Sequence, residues 1–172
     1  MLGKKMEKAL NEQINKELFS AYLYLSMTAY FESLSLPGFA QWMRVQTQEE
    51  LSHAMKIYDH VNERGARVLL SAIDTPETKW TSPKAAFDAA YKHEKFITES
   101  INNLVTAARK ENDHATDVFL QWYVTEQVEE EQNASTIANQ LKLIGESSHS
   151  LLMLDRELGA RVFTMPVDQS TT

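Results

Sequence analysis

The sequence contains no cysteine, and glycine and proline are scarce, with five and four copies in 172 residues. Without cysteine the chain forms no disulfide, no thiolate metal site and no cysteine nucleophile. So few helix breakers favour long helices over many short strands. No stretch approaches the roughly 20 apolar residues of a membrane-spanning helix. The first ten residues are charged and amphipathic rather than a secretory signal. We therefore expect a cytoplasmic protein without a membrane partner.

Basic charge is also in short supply, since the formal net charge at pH 7 is −7. Nucleic acids and anionic membranes are bound by basic patches, so the sequence argues against both partners. Cationic ligands remain compatible with this charge. The hydrophobic content of 43% and the length suit one domain with a substantial core.

Apolar residues recur at helical spacing in four long segments. Pro37 and Ser82-Pro83 are typical helix starts, while Gly65 and Gly145 are typical of the residues that follow a helix. The pattern thus predicts four long helices. In the first helix the predicted core stripe consists of Leu10, Ile14, Leu18, Ala21, Leu25 and Thr28 or Ala29.

The connection over residues 65–82 is too long for a helical hairpin. A helix of about 28 residues is about 42 Å long, and 17 extended residues reach about 55 Å. The sequence therefore predicts an all-α four-helix bundle with one long crossover between helices 2 and 3. Residues 151–158 add a short fifth, C-terminal helix. A single domain is expected over residues 1–163, followed by a polar, flexible tail over 164–172.

Each long helix carries an acidic residue where its stripe should be apolar. A single acid in such a place can lie at the edge of the stripe. Four acids are harder to explain, because a buried carboxylate without a partner is costly. All four lie within about three residues of the middle of their helices, which puts them within about 5 Å of one level. The polar residues on the stripes are Glu17 in the first helix, Glu50 and His53 in the second, Glu94 in the third, and Gln127 and Glu130 in the fourth.

A metal ion is the natural counter-charge, since no Lys or Arg occupies the same stripes nearby. Glu50 and His53 are three residues apart and share a helix face, and carboxylates with one imidazole suit iron or manganese. The Glu-x-x-His spacing alone is weak, because it recurs at 111–114 and 146–149, where we expect capping and turn residues. His60 shares the face of His53 and is expected to be a core or rim histidine.

Four stretches together resemble the prokaryotic non-haem ferritins over about residues 5–160. They are N-E-Q-I-N-K-E-L-F-S-A-Y-L-Y-L-S-M, Q-E-E-L-S-H-A-M, H-E-K-F-I and Q-W-Y-V-T-E-Q-V-E-E-E. The resemblance implies a ferritin-like bundle and a homo-oligomeric cage of 24 subunits. It also implies a ferroxidase that oxidises Fe(II) with dioxygen or peroxide and stores ferric mineral.

The resemblance also implies the roles of the site residues. Glu17, Glu50 and His53 would hold one iron, and Glu94 and Glu130 would complete the second, with Gln127 hydrogen-bonding beside the pair. A third iron site on the cavity side would use Glu49, Glu126 and Glu129. Tyr24 matches the family's tyrosine beside the centre, and two interpretations stay open: an electron donor, or a core tyrosine with a satisfied hydroxyl.

Departures from related families narrow the assignment. Leu51 stands where bacterioferritins place a haem-ligating methionine, so no haem is expected. Gln127 replaces the histidine of a second Glu-x-x-His pair, which resembles ferritin rather than bacterioferritin. Asp117 matches the first channel acid of animal ferritins, but Leu120 replaces the second. The sequence therefore does not predict the route by which iron enters. Two alternatives remain: a di-iron oxidase or peroxidase that stores nothing, and a structural bundle without metal.

Overall fold

The computed structural model describes residues 2–164. Within this range the chain forms five helices and no strand, as the all-α prediction requires. No helix in this range is long and apolar enough to cross a membrane. Apart from Thr164, the tail predicted over 164–172 lies outside the described residues. The helices are α1 (Lys4–Ser33), α2 (Pro37–Glu63), α3 (Pro83–Lys110), α4 (His114–Ile144) and α5 (Ser148–Leu158).

The helix ends follow the local chemistry that the sequence predicts. The Ser82 side chain caps α3 by accepting a hydrogen bond of 3.1 Å from the backbone N–H of Ala85. Gly65 and Gly145 follow α2 and α4 with φ of +69° and +58°, a region that glycine enters without steric cost. Both helices therefore end where the sequence indicates.

Short loops make α1 antiparallel to α2 and α3 antiparallel to α4, and these two pairs have the most extensive contacts. The crossover over 65–82 contains no helix or strand and runs alongside α1 in the same direction. Because it returns the chain to the starting end of α2, α3 runs parallel to α2. Its backbone is held by side chains of α1: Leu69 N–H donates to Asn11 at 2.6 Å, Asn15 donates to the Ala72 carbonyl at 3.0 Å, and Ser26 donates to the Glu77 carbonyl at 2.6 Å.

Helix α5 docks onto the start of α2. The buried Asp155 carboxylate accepts hydrogen bonds from the backbone N–H groups of Gly38 and Phe39, at 2.8 and 3.0 Å. These donors have no partner inside α2. A Cβ atom at Gly38 would lie only 1.6 Å from the Asp155 carbonyl oxygen, so glycine is required there. The docking fixes where the chain emerges after α5.

The core consists of two apolar clusters with a polar layer between them. One cluster surrounds Phe31, Phe39 and Phe87, and the other surrounds Leu10 and Ile57. Residues buried between these clusters are mostly carboxylates, amides and one imidazole. This layer is the level at which the sequence predicted the acids to meet.

One part of the predicted stripe is wrong. Leu25 is 48% exposed and Ala29 is exposed. Two successive steps of four residues after Ala21 rotate the stripe by about 80° away from the core, because four residues make about 400° of turn. The buried face of this part of α1 instead contains Leu23, Tyr24, Met27, Thr28 and Phe31.

Candidate metal centre

The acids on the four stripes meet inside the bundle and form what we call the inner cluster: Glu17, Glu50, His53, Glu94 and Glu130. Each of these side chains is at most 4% exposed. Ligand atoms of Glu17, Glu50 and His53 lie within 4.8 Å of one another. A second set with the same spacing joins His53 and Glu130 to Glu126. The structure therefore brings candidate ligands from α1, α2 and α4 together around His53, and Glu94 approaches from α3.

Neutral amide groups hold the carboxylates of the inner cluster. Because a glutamine is uncharged, it orients a carboxylate without cancelling its negative charge. Gln127 was expected beside the centre, whereas Gln13 and Gln46 were missed. Each of these two lies four residues before a glutamate of the cluster on the same helix, a spacing that was visible in the sequence. The donations are Gln13 to Glu17 Oε1 at 2.8 Å, Gln46 to Glu130 Oε2 at 2.6 Å and Gln127 to Glu94 Oε2 at 3.2 Å.

Two buried polar atoms of the cluster lack a hydrogen-bond partner. They are Glu17 Oε2 and His53 Nε2. Buried polar atoms are nearly always paired, so an unpaired carboxylate oxygen and an unpaired imidazole nitrogen in one cluster indicate a site for a ligand. Carboxylate oxygens with one imidazole form a donor set that suits iron. The residues present therefore fit an iron-binding centre.

Burial and mutual repulsion raise the pKa values of the carboxyl groups. Burial raises the pKa of Glu50 well above its usual value, and the repulsion from Glu94 adds to it. Burial likewise raises the pKa of Glu94 to about 7 and that of Glu130 to about 8. Protons therefore occupy part of the cluster near neutral pH when no metal is bound.

His53 is shifted in the opposite sense to an ordinary buried histidine. Burial alone would lower its pKa, but the negative charge of the nearby Glu126 and Glu50 carboxylates outweighs burial and holds the pKa well above the usual value. Glu126 Oε1 lies 3.8 Å from His53 Nε2, which is beyond hydrogen-bond distance. His53 Nδ1 lies 3.6 Å from Glu50 Oε2. Without metal, the imidazolium thus serves as a positive charge inside the cluster.

Tyr24 is fully buried, and its hydroxyl donates a hydrogen bond to Glu94 Oε1. Burial, with the negative charge of Glu94, raises the pKa of this phenol well above its usual value. The contact satisfies the hydroxyl and also places the ring against the centre. Its part in catalysis stays a prediction.

The remaining predicted acids, Glu49, Glu126 and Glu129, form what we call the outer cluster. They line a cleft of about 260 Å³ together with Glu130, so this glutamate belongs to both regions. Arg161, which sequence reasoning missed, also lines the cleft, and its Nη2 lies 2.6 Å from Glu49 Oε2. Nothing in the local sequence pointed to Arg161, because it follows α5 and reaches the cleft only through the docking of that helix.

Other histidines have structural surroundings. His60 is buried, stacks on Phe119 with ring centroids 3.8 Å apart, and lies 3.2 Å from the Thr116 hydroxyl. Burial lowers the pKa of His60 to about 4, as expected of a core histidine. The other two Glu-x-x-His matches lie at the α3–α4 and α4–α5 junctions, as predicted.

The structure changes the comparison of Asp117 and Leu120 with the two channel acids of animal ferritins. Leu120 is fully buried in the core and therefore does not face the surface beside Asp117. Gln121 is the neighbour there, and it donates a hydrogen bond of 2.9 Å to Asp117 Oδ1. Arg109 pairs with the same carboxylate at 3.1 Å.

Residues 7–144 match the ferritin family, described as a ferritin-like domain. The chain belongs to the ferritin family. It is 40% identical to the bacterial non-heme ferritin of Staphylococcus aureus over 163 residues, which cover 95% of this chain and 98% of that protein. It is 39% identical to the bacterial non-heme ferritin of Bacteroides fragilis over 161 residues, which cover 94% of this chain and all of the relative.

Solved ferritin structures superpose on the chain over nearly its whole length. An engineered closed form of the Archaeoglobus fulgidus ferritin is 56% identical, with a TM-score of 0.94, covering 95% of this chain and 100% of the other. An open-pore ferritin from the same archaeon is also 56% identical, with a TM-score of 0.93, covering 94% and 100%. These comparisons confirm the ferritin fold and support iron storage with ferroxidase activity in a homo-oligomer.

Proposed function

We propose that the inner cluster of each ferritin chain is a ferroxidase centre for two Fe(II) ions. Glu17, Glu50 and His53 bind one ion, and Glu94 and Glu130 complete the site of the second. The observation that carries this assignment is the set of Glu17, Glu50 and His53 ligand atoms within 4.8 Å of one another, in which Glu17 Oε2 is buried without a hydrogen-bond partner. A buried carboxylate oxygen that lacks a partner within such a set is suited to a cation substrate.

The residues around the ions orient the ligands and release protons. In the metal-free centre Glu94 and Glu130 have pKa values of about 7 and about 8, so binding of Fe(II) displaces protons from them. The amides of Gln13, Gln46 and Gln127 keep the freed carboxylates in place. Dioxygen or peroxide then takes one electron from each Fe(II), and the ferric ions leave the centre.

The outer cluster provides the next binding position. Glu130 contacts both regions, so a ferric ion leaving the inner pair meets Glu126, Glu129 and Glu49 as a third iron site. Beyond this site the ions hydrolyse and form an oxyhydroxide mineral inside a hollow assembly. The proposal includes an assembly of 24 subunits and the cytoplasmic location expected from the sequence.

The decisive experiment measures the iron retained per chain after aerobic loading with excess Fe(II). Iron and protein are quantified together on the main peak from size-exclusion chromatography. Tens of iron atoms per chain on a large assembly are expected for storage. About two or three atoms per chain on a small species would favour a di-iron oxidase that stores nothing. Absence of bound iron would contradict both functions.

A further inference from the structure

A positive side chain is built into the outer cluster. Arg161 donates from Nη2 to Glu49 Oε2 at 2.6 Å and from Nη1 to Gln46 Oε1 at 2.8 Å. Its guanidinium carbon also lies 4.4 Å from the centre of the Trp42 ring. The side chain is only 20% exposed. Two hydrogen bonds and a stacked ring thus fix the group in one place.

Arg161 is connected to the inner cluster through a single residue. Gln46 accepts from Arg161 through Oε1, and its Nε2 donates to Glu130 Oε2 at 2.6 Å and to Glu50 Oε1 at 3.4 Å. Among the described residues that line the cleft, Arg161 is the one basic side chain. The arginine is therefore the basic side chain of the cleft, and Gln46 links it to Glu130, which both clusters share.

The charge of Arg161 acts differently with and without iron. Without iron, the guanidinium partly neutralises the negative charge of the outer cluster. Burial raises the pKa of Glu49 and the charge of Arg161 lowers it, and the net shift is upward. A metal ion at Glu49 must share this carboxylate with the guanidinium. The two cations then repel each other across a partly exposed cleft, where charges are screened less than in open solvent. Arginine cannot relieve the repulsion by losing a proton.

We propose that Arg161 is a resident counter-cation that weakens the outer cluster's affinity for iron. The third site consequently fills after the inner pair and gives up its iron readily toward the cavity. This inference rests on the proposed function, because it presupposes that the outer cluster binds iron. In this proposal Arg161 acts through its charge on the order in which the sites fill, without contact with the reacting atoms.

The test is an anoxic titration of the assembled, iron-free protein with Fe(II), in which calorimetry measures the heat of binding. Arg161→Gln and Arg161→Met both remove the charge, and the methionine retains apolar packing on Trp42. In both variants we expect the weakest of three binding classes per chain to tighten about tenfold, as removal of a partly buried opposing charge would do. The change in the two tighter classes is expected to be smaller.

Two control variants separate charge from other effects. Arg161→Lys keeps the charge but loses the two-pronged contact. The Fe(II) affinity of its weakest binding class should therefore be closer to the wild-type value than the affinity of the neutral variants is. Arg156→Gln removes an exposed arginine from α5 and should match wild type in all classes. The size of the assembly and the thermal midpoint are measured for each variant.

A second measurement follows iron out of the site. After a first aerobic addition of Fe(II), the neutral variants should recover their initial oxidation rate more slowly than wild type, because the third site releases iron more slowly. Arg156→Gln should recover at the wild-type rate.

Opposite results would overturn the inference. If the neutral variants bind the third Fe(II) no more tightly than wild type, Arg161 does not oppose iron. Weaker binding would mean that it orients Glu49 for the metal. If instead wild type binds no Fe(II) in any class, the proposed function fails, and this result is distinct from equal binding in all variants.

Discussion

The inner and outer clusters hold their carboxylates by different means. Inner acids are at most 4% exposed and are anchored by neutral donors such as Gln13 and Tyr24. In the outer cluster, Glu126 and Glu49 have side chains that are 27% and 19% exposed, and Glu49 is paired with Arg161. Neutral anchors keep the geometry while leaving the negative charge for metal ions, whereas an arginine shares that charge.

This difference implies a cost for the inner cluster. Within the described residues, only the His53 imidazolium supplies a positive charge among these buried carboxylates, so without metal the acids also take up protons. Water reaches the outer acids, which screens their repulsion. In the proposed function, a stronger site built by all four long helices therefore lies next to a weaker one built by α2 and α4.

The largest effect is expected for Glu50→Gln. The substitution keeps the size of the side chain but removes a carboxylate from the inner cluster, so Fe(II) oxidation should fall by about 100-fold or more. At pH 8 the metal-free variant should have a higher thermal midpoint than wild type, because Glu50 repels Glu94 and Glu17. Stopped-flow oxidation and thermal unfolding measure the two changes.

Glu63→Gln is the matched control for this pair of measurements. Glu63 is an exposed residue at the end of the same helix and should change neither quantity appreciably. Unchanged oxidation in Glu50→Gln would contradict the assignment of the centre. A metal-free bundle of purely structural acids predicts that result.

A smaller effect is expected for Gln13→Leu. The amide donates to Glu17 and accepts from the Ser100 hydroxyl at 2.6 Å, and Ser100 in turn accepts from Lys16 at 2.6 Å. Loss of this anchor frees Glu17 to turn, so anoxic Fe(II) binding to the inner pair should weaken about tenfold. Gln132→Leu, at an exposed position on α4, provides the control. Equal affinities in the two variants would mean that Gln13 does not position Glu17.

The pH dependence of the metal-free protein gives a further contrast. Burial raises the pKa values of Glu94 and Glu130 to about 7 and about 8, so the folded state holds protons that the unfolded state has lost. The stability from these groups is complete below pH 4.5 and is lost as the pH rises through 7 and 8. Burial lowers the pKa values of His60 and of the half-buried His93, which lies 2.7 Å from the Ser20 hydroxyl, to about 4, so between pH 4 and 6.5 these groups have the opposite effect.

We therefore expect the free energy of unfolding of the metal-free protein to decrease from pH 6.5 to 8. Denaturant titrations at several pH values measure this slope, and Glu50→Gln should reduce it. Saturating Zn(II) should reduce or reverse the slope, because the metal keeps the carboxylates deprotonated. An increase of metal-free stability across this range would contradict the proton occupancy of the inner cluster.

The smallest effect is a difference in salt dependence. Exposed charges are screened by salt and buried ones much less. Raising KCl from about 0.05 to about 1 M should lower the Fe(II) affinity of the third site a few fold. The affinity of the inner pair should change less. The titration is repeated with the assembly size checked at each salt concentration. Equal salt effects on all classes would mean that the two clusters do not differ in accessibility.

Much of this molecule could be predicted from local sequence. Helix ends at Ser82, Gly65 and Gly145 depend on neighbouring residues only, so capping chemistry identifies them. The level of Glu17 and Glu94 follows from counting residues along helices of similar length. The stripe beyond Ala21 was wrong because small errors in phase accumulate along a helix.

The anchors of the site divide in the same way. Gln13 and Gln46 could have been found, because each lies one helical turn before a ligand glutamate. Arg161 could not, because its partner Glu49 is more than one hundred positions away and lies on a different helix. Leu120 was compared with a channel acid by its position in the sequence, but it lies in the core.

The sequence by itself determined the five helices, the long crossover and the acids that each helix brings to one level. These features depend on spacing along a helix, which is fixed by backbone geometry. Only the tertiary structure decided which oxygen of Glu17 is bound by an amide and which is free, and which acid receives the guanidinium of Arg161. These contacts form only when side chains from separate helices come together in the fold. The docking of α5 through Asp155 and Gly38, for example, brings Arg161 to Glu49.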